Sequence, residues 1–361
     1  MTTTTGRRPA VAAHPIPPPE RVAIDVRGLT KRYGRRTVVR GLDITIPEGA
    51  VAGFVGPNGA GKTTTLRMLL GLVRPSGGQG SVLGEPLRSP VAYLPRVGAL
   101  IESPALYPAL SGRRNLAALA ALAGLDRGQA SARVEAILDQ VGLAGRGDDR
   151  VRSYSLGMKQ RLAIGAALLT DPDLLILDEP TNGLDPIGIR QMRELIRSLA
   201  TRPGPDAAEP TADARADRGR TVLVSSHLLA EVEQICDWLI VVEGGRLAYQ
   251  GPTDRLMASQ TVEVVLRPEH DEDVAPLADL LAGLDLPAVR RADAVVAGLA
   301  TDPDDPRAYT RLLAAVNRAA ASRGITLIEM TPHRHSLEDR YEGLVAQAAA
   351  EPRGTDQETS R

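Results

Sequence analysis

The sequence predicts an α/β protein with a mixed sheet core, a helical subdomain and a small C-terminal α+β domain. Three short apolar segments predict strands that are buried on both faces: AVAGFVG (50–56), DLLILDEP (173–180) and TVLVSSH (221–227). Between them, apolar residues recur at helical spacing. From about residue 260 the chain changes character, and strand-like and helix-like segments alternate in a unit of their own.

The N-terminal elements precede the first of these strands. Residues 1–20 are rich in Thr and Pro and predict a disordered tail. Alternating apolar and polar residues predict a strand in RVAIDV (21–26), and a further strand is predicted in TVVRGLDITI (37–46). The main domain is therefore expected to begin at residue 21.

Helices and one long insert fill the middle of the chain. A helical subdomain is predicted over about 96–170, where Ala- and Leu-rich segments follow one another. A helix is predicted in 189–200, and the polar stretch 201–219 predicts a disordered insert. A hairpin turning at Gly244 and Gly245 is predicted next, and the domain is expected to end at residue 257.

The C-terminal domain is predicted over residues 260–347. Strands are expected in TVEVVLRP, AVVAGLAT and ITLIEM, and helices in VAPLADLLAGL, RAYTRLLAAVNRAAASRG and SLEDRYEGLVAQ. The polar residues 348–361 predict a second disordered tail.

Composition excludes several classes of protein. The chain has 43 Lys and Arg against 44 Asp and Glu, whereas nucleic-acid binders usually carry a basic excess. Aromatic residues make up only 2%, too few for single-strand stacking platforms, and the single cysteine, Cys236, excludes an internal disulfide. Apolar runs fall far short of the roughly 20 residues of a membrane span. We therefore expect a chain that is neither secreted nor membrane-spanning by itself and has no nucleic-acid partner.

A phosphate-binding loop follows the first buried strand. The motif G-x-x-x-x-G-K-[ST] is matched by Gly56, Pro57, Asn58, Gly59, Ala60, Gly61, Lys62 and Thr63. Glycines let backbone N–H groups close around phosphate oxygens, and the following helix offers its N-terminus to the same anion. Lys62 is expected to reach the β- and γ-phosphates, Thr63 to bind Mg²⁺ and Thr64 to contact the α-phosphate. A glycine-rich turn with a chance lysine is disfavoured, because the chain has only three lysines.

Two carboxylates end the second buried strand. Asp178 is expected to hold Mg²⁺, and Glu179 to act as general base on the attacking water. Taken alone, the pattern also fits a strand that ends in solvated acids. Together with the loop, it predicts a nucleotide-hydrolysing site at the carboxyl edge of the sheet.

Further motifs resemble those of ATP-binding cassette (ABC) proteins over residues 21–257. The segment SLGMKQR (155–161) resembles the signature motif L-S-G-G-Q, and Gly183-Leu184-Asp185 resembles the D-loop. His227 resembles the switch histidine, and Tyr33 the aromatic residue that stacks on adenine. The order of these motifs along the chain is highly specific. The resemblance implies the P-loop NTPase cassette fold and an ATPase with ATP and Mg²⁺ as cofactors.

The resemblance also implies how the residues act. Two cassettes pack head to tail, so that each ATP touches the phosphate loop of one chain and the signature of the other. Residues 155–158 would bind the γ-phosphate in trans, and Asp185 would cross the seam between the cassettes. Glu179, His227 and Lys62 would then be the catalytic residues, with His227 sensing the γ-phosphate and holding the attacking water.

The signature departs from L-S-G-G-Q at three places. Tyr154 takes the position of Leu, Leu156 that of the first Gly and Met158 that of Gln. Ser155 and Gly157 keep the family residues. This S-L-G-M-K-Q form resembles the cassettes of bacitracin- and lantibiotic-type exporters.

A second departure lies at the Q-loop. Family members commonly carry Gln a few residues before an L-Y-P segment, and Glu102 takes that place here. Because a carboxylate also ligates Mg²⁺, Glu102 is expected as a metal ligand beside Thr63 and Asp178. The alternative is a surface glutamate that is unconnected with metal.

The resemblance implies partners as well. The chain would power a separate polytopic membrane permease from the cytoplasmic face of the cell membrane, docking near residues 102–115, and would pair with a second copy of itself. Export of antibiotics, peptides or drugs is the expected process. Two alternatives stay open: a non-transport ABC ATPase acting on ribosomes or DNA, and an ATP-binding regulatory module with little turnover.

Overall fold

The computed structural model describes residues 21–102, 106–201, 219–257, 261–300 and 308–333. The predicted tails at 1–20 and 348–361 lie outside these residues. So do all but the ends of the predicted insert 201–219 and the whole of the predicted helix at 336–347.

The strands are, in chain order, β1 (Val22–Tyr33), β2 (Arg36–Pro47), β3 (Val51–Val55), β4 (Gly77–Val82), β5 (Glu85–Pro86), β6 (Val97–Leu100), β7 (Leu174–Asp178), β8 (Thr221–Ser226), β9 (Trp238–Glu243), β10 (Arg246–Pro252), β11 (Thr261–Pro268), β12 (Ala288–Arg290), β13 (Val295–Ala300) and β14 (Leu327–His333). The helices are α1 (Lys62–Leu69), α2 (Pro90–Tyr93), α3 (Gly112–Leu122), α4 (Arg127–Gln140), α5 (Leu156–Ala167), α6 (Pro186–Ala200), α7 (Leu229–Ile235), α8 (Thr253–Met257), α9 (Val274–Ala282) and α10 (Ala308–Ser322).

The chain divides into two compact units. The first contains the residues up to His227 together with Ile235–Gly251, and the second contains Leu228–Gln234 and the residues from Pro252 onward. This division falls a few residues before the predicted boundary at 257–260, which stays a prediction of the sequence.

The central sheet of the first unit has six strands in the order β10-β9-β3-β8-β7-β6. Strand β3 pairs in parallel with β8 and β9, and β7 pairs in parallel with β8 and β6. Every residue of β3 and β8 is buried, as expected for strands covered on both faces. The register places Val55 opposite Ser226, and Asp178 opposite Ser225. The carboxyl ends of β3, β7 and β8 therefore lie side by side.

A second, antiparallel sheet of the same unit has the strand order β2-β1-β4-β5. Its apolar side chains share one core with those of the central sheet and α1, formed by residues such as Ile24, Ile44, Phe54, Leu66 and Ile176. The predicted α/β class is confirmed, and the mixed core consists of two sheets that enclose a common hydrophobic layer.

Helices α3, α4 and α5 contact one another and form the helical part of the first unit. Each of the three begins at a side-chain cap: Ser111, Asp126 and Ser155 each accept a hydrogen bond from a backbone N–H of the first turn. Such caps stabilise a helix start by satisfying one of its unpaired donors.

One part of the helical prediction is wrong. Residues Val97–Leu100, expected within the helical subdomain, form β6 beside β7 at the edge of the central sheet. A short apolar run does not distinguish strand from helix by its periodicity, and here the parallel partner determines the outcome. The short elements β4, β5 and α2 are absent from the sequence prediction as well.

The second unit alternates strands and helices in the order β11-α9-β12-β13-α10-β14. Its strands form an antiparallel sheet in the order β12-β13-β11-β14, the split βαβ arrangement. Leu277 of α9 and Val316 of α10 belong to one buried cluster with Leu266 and Val295 of the sheet. The two helices therefore bury their apolar sides against this sheet.

Two features that would point to other functions are not found in the described part of the chain. None of its helices is both long and apolar enough to cross a membrane. Burial raises the pKa of the Cys236 thiol, so this side chain stays protonated and unreactive near neutral pH.

The contact between β6 and the C-terminal end of α5 can be tested with Gly98→Ala. A Cβ at Gly98 would lie 2.2 Å from the carbonyl oxygen of Ala167, which is backbone and does not move aside. We expect the free energy of unfolding to fall by about 1–3 kcal/mol, the usual cost of overpacking.

The matched control is Gly145→Ala, whose new Cβ meets nothing within 4 Å. Urea unfolding of both variants provides the measurement. Equal midpoints for Gly98→Ala and the wild-type chain would contradict this packing.

Candidate functional site

The candidate site lies at the carboxyl edge of the central sheet, where β3 runs into the loop 56–61 and then into α1. A Cβ at Gly56 would lie 2.3 Å from the carbonyl oxygen of Val242, so only glycine fits there. Gly59 and Gly61 have φ angles of 83° and 97°, which glycine adopts without strain. These residues permit the tight turn from which such a loop directs N–H groups at an anion.

The tip of the loop is open to solvent. Pro57, Asn58 and Gly59 are exposed, whereas Ala60 is buried and donates its N–H to the carbonyl oxygen of Pro57 at 3.2 Å. Thr64, in the first turn of α1, is partly buried. The predicted phosphate-binding residues thus form one continuous loop and helix start.

Lys62 is the first residue of α1, and only 5% of it is exposed. Its Nζ donates hydrogen bonds to the carbonyl oxygens of Gly56 at 2.6 Å and Pro57 at 3.4 Å. The same atom lies 3.5 Å from Oε1 of Glu179. A buried ammonium is costly without such partners, and these partners hold the cation inside the loop.

Thr63 and Asp178 meet at the start of α1 and the end of β7. Thr63 Oγ1 donates a hydrogen bond of 2.8 Å to Oδ2 of Asp178. A hydroxyl and a carboxylate are oxygen donors of the kind that Mg²⁺ prefers. The pair therefore fits the metal site that the sequence predicts.

Glu179 follows β7 in a left-handed conformation, with φ of 47°. Its carboxylate joins two other predicted catalytic residues: Oε1 lies near Lys62, and Oε2 lies 3.3 Å from Nδ1 of His227. A carboxylate held between a cation and an imidazole is placed to accept a proton from a water molecule. The structure thus brings Lys62, Glu179 and His227 together.

Ser225 belongs to this site, and sequence reasoning misses it. Its hydroxyl donates a hydrogen bond to Oδ1 of Asp178 and accepts one of 3.0 Å from the backbone N–H of Glu179. Ser225 is completely buried within β8. The sequence feature that could have indicated Ser225 is a hydroxyl side chain in an apolar strand, two residues before His227.

The signature residues form a second group on the same unit. An open cleft of about 520 Å³ is lined by Ser155, Leu156, Gly157, Met158 and Asp185, among others. None of the loop residues 56–64, all of which the structure describes, lines this cleft. A Cβ at Gly183 would lie 3.1 Å from the Leu156 side chain, so the signature and the D-loop pack closely.

Gln160 connects the signature helix to the segment after Glu179. Its Nε2 donates a hydrogen bond of 3.2 Å to the carbonyl oxygen of Asn182. The N–H of Asn182 in turn donates to the carbonyl oxygen of Glu179 at 3.1 Å. Two hydrogen bonds therefore link α5 to the general-base candidate, a connection that the signature motif alone does not predict.

Tyr33 ends β1 with about half of its surface exposed. The Nζ of Lys31 lies 4.9 Å from the centre of its ring, in cation–π range, and donates to the carbonyl oxygen of Arg74 at 2.7 Å. An exposed ring at a strand end suits the stacking role that the sequence predicts.

Glu102 does not join the Thr63–Asp178 pair. It is exposed, has a φ of 65° and forms an ion pair with Arg67 of α1. Its expected role as a metal ligand therefore stays a prediction.

Comparison with known proteins adds the family to this geometry. A family model described as ABC transporter matches residues 39–182. The Bacitracin transport ATP-binding protein BcrA of Bacillus licheniformis is 36% identical, over 89% of this chain and 97% of its own length. The Daunorubicin/doxorubicin resistance ATP-binding protein DrrA of Streptomyces peucetius is 35% identical, over 82% and 85%. The Nod factor export ATP-binding protein I of Burkholderia lata is 40% identical, over 66% and 73%.

Solved structures agree with the fold of the cassette. An ATP-binding subunit of an ABC transporter superposes with a TM-score of 0.53 at 29% identity, covering 65% of this chain and 91% of that one. The cbiO1 protein of Clostridium perfringens, part of the ABC transporter complex cbiONQ, superposes with a TM-score of 0.57 at 25% identity, covering 73% and 98%. The chain therefore belongs to the ABC transporter family and is an ATP-binding, ATP-hydrolysing subunit of that family.

Proposed function

We propose that this ATPase drives a separate membrane permease through ATP-dependent pairing of two cassettes, and that it exports antibiotic-, peptide- or drug-like molecules. The observation that carries the proposal is the meeting of Lys62, Glu179 and His227 at three adjacent strand ends. A carboxylate base that contacts both a buried cation and an imidazole provides groups suited to hydrolysis of a phosphoanhydride.

ATP binding uses groups that are already in place. Tyr33 offers its ring to the base, and the loop 56–61 with the N-terminus of α1 binds the phosphates. When ATP binds, Lys62 donates to β- and γ-phosphate oxygens in place of its present carbonyl acceptors. Hydrogen bonds to these anionic oxygens are stronger than those to neutral carbonyl groups. Thr63 and Asp178 would hold Mg²⁺, which would supply positive charge against the phosphates.

Hydrolysis needs a base on the far side of the γ-phosphate. Glu179 takes a proton from the attacking water, and its Oε2 is held by contact with His227. His227 senses the γ-phosphate and orients the same water. The backbone of Glu179 is left-handed and therefore strained. Strained residues cluster at functional sites, which supports the role of Glu179 as the base.

The signature cleft supports pairing of two copies. The cleft is open, and it is lined by the first turn of the signature helix α5, which Ser155 caps; a helix N-terminus of this kind suits an anion. Because no loop residue lines this cleft, the γ-phosphate that it binds comes from the loop of a second cassette. Asp185, which caps α6 at the same cleft, then lies at the seam.

A permease partner is supported by exposed apolar side chains as well as by the relatives. Leu72 and Val91 are largely exposed, and a Cβ at Gly71 would touch Pro90, so the two segments are neighbours. Tyr107, more than half exposed, lies within the predicted docking region 102–115. Apolar surface of this kind suits a protein partner. Because that partner would be a membrane permease, we place the cassette at the cytoplasmic face of the membrane.

The cargo class rests on the relatives. Two relatives that match over most of their own length are named for bacitracin transport and for daunorubicin and doxorubicin resistance. Relatives named for transport and export favour the exporter over an ATPase that acts on ribosomes or DNA.

A capture experiment tests the permease partner. Tagged Glu179→Gln is expected to bind ATP and to lower phosphate release by about 10²–10⁴-fold, the usual contribution of a general base. It should therefore trap the paired state, and a polytopic membrane protein should co-purify from membranes solubilised with ATP and Mg²⁺.

The matched control adds Lys62→Met to the same chain, which should lose both ATP and the membrane protein. Recovery of ribosomal or chromosomal material without a membrane protein would overturn the exporter proposal. Unchanged phosphate release by Glu179→Gln would instead overturn the role of Glu179.

The role of Lys62 in nucleotide binding is tested by direct titration. Lys62→Met removes the buried ammonium that contacts Gly56 and Glu179, and we expect ATP to bind about 10–100-fold more weakly, the value of a charge-assisted hydrogen bond. Arg323→Met removes an exposed cation of the second unit, outside all of the predicted ATP-binding motifs, and should bind ATP normally. Equal affinities of the two variants in calorimetry would exclude the assigned role.

A further inference from the structure

Ser225 of β8 contacts both of the acidic residues at the end of β7, Asp178 and Glu179. The strand register pairs it with Asp178. It is completely buried, and three apolar residues, Val222, Leu223 and Val224, precede it in the same strand. A hydroxyl in such surroundings is costly unless both its proton and its lone pairs are used.

The proton and a lone pair of the Ser225 hydroxyl are both used, and they bond to different residues. The Ser225 hydroxyl donates to Oδ1 of Asp178, while Thr63 donates to the other oxygen, Oδ2. Each oxygen of the Asp178 carboxylate therefore accepts a hydrogen bond from a different donor. The two hydrogen bonds determine which oxygen faces α1. In metal sites, partners of this kind orient the ligands and tune the affinity for the ion.

The same residue also supports Glu179. The N–H of Glu179 donates both to the Ser225 hydroxyl at 3.0 Å and to the Ser225 carbonyl oxygen at 3.2 Å. Glu179 has φ of 47°, and a non-glycine residue in this region stores strain that its surroundings must balance. From that backbone its carboxylate contacts Lys62 and His227.

We propose that Ser225 is a positioning residue of the ATPase, which orients Asp178 toward the metal and holds Glu179 in its left-handed conformation. Its hydroxyl acts through Asp178 and Glu179, whose carboxylate and backbone N–H it contacts. The inference rests on the proposed hydrolysis at this site. A residue of similar size without a hydroxyl would leave Oδ1 of Asp178 without this donor and would remove one of the two acceptors of the Glu179 N–H.

The test compares Ser225→Ala with Thr221→Val. Thr221 lies in the same strand, is equally buried and uses its hydroxyl to accept the N–H of Gly49 at 2.9 Å, at the opposite end of β8. Each variant removes one buried hydroxyl from β8. Thr221→Val therefore controls for the loss of stability that removal of a buried hydrogen bond causes. We expect only Ser225→Ala to lower kcat, by about tenfold, because it alone misplaces the carboxylates.

A second measurement does not depend on turnover. Mn²⁺ binding is followed by electron paramagnetic resonance with a non-hydrolysable ATP analogue present. We expect Ser225→Ala to weaken Mn²⁺ binding by about tenfold, as is usual when the partner of a metal ligand is lost. Binding of the analogue without metal should change by less than about twofold, since the Ser225 hydroxyl is buried against Asp178 and Glu179. Ser225→Thr, which keeps the hydroxyl, should recover most of the metal affinity.

The outcomes separate this inference from the proposed function. If Ser225→Ala kept the kcat and the Mn²⁺ affinity of the wild-type chain, the positioning role of Ser225 would be overturned. It would also be overturned if Thr221→Val lowered kcat and Mn²⁺ affinity as much as Ser225→Ala does. A wild-type chain that releases no phosphate would overturn the proposed hydrolysis, and the Mn²⁺ titration would then still decide whether Ser225 positions Asp178.

Discussion

The register of three parallel strands is the constraint on which the site depends. Because β3, β8 and β7 pair side by side, the phosphate loop, the switch histidine and the two acidic residues emerge at one edge of the sheet. The parallel sheet is buried on both faces, so this register is stabilised by the whole core of the first unit. A shift of β8 against β7 would separate Ser225 from Asp178 and His227 from Glu179 together.

The charges at this edge form one connected set, which suggests how binding and hydrolysis are coupled. Lys62 lies between the loop carbonyl of Gly56 and the carboxylate of Glu179, and Glu179 also contacts His227. A phosphate entering the loop competes for Lys62 and so changes the surroundings of the base. Gln160 extends the connection through Asn182 to the signature helix, so that α5 has a physical route to Glu179.

Much of this site is readable from the sequence because its residues are neighbours in the chain. The loop 56–63 and the acids after β7 carry fixed spacings that reflect backbone geometry. Ser225, Gln160 and the Arg67–Glu102 ion pair are not readable in this way, because each depends on contacts between distant segments. For β6 the reason is similar: four apolar residues do not specify a strand until a partner strand lies beside them. The split βαβ order of the second unit likewise depends on pairings that local patterns leave open.

We propose that ATP joins two cassettes and that hydrolysis separates them. Light scattering on purified Glu179→Gln, with and without ATP, measures this most directly. The account predicts a particle of 38.3 kDa without nucleotide and one of twice that mass with ATP, and a return to the smaller particle when ATP is removed. A particle that stays at 38.3 kDa while ATP is bound would contradict it.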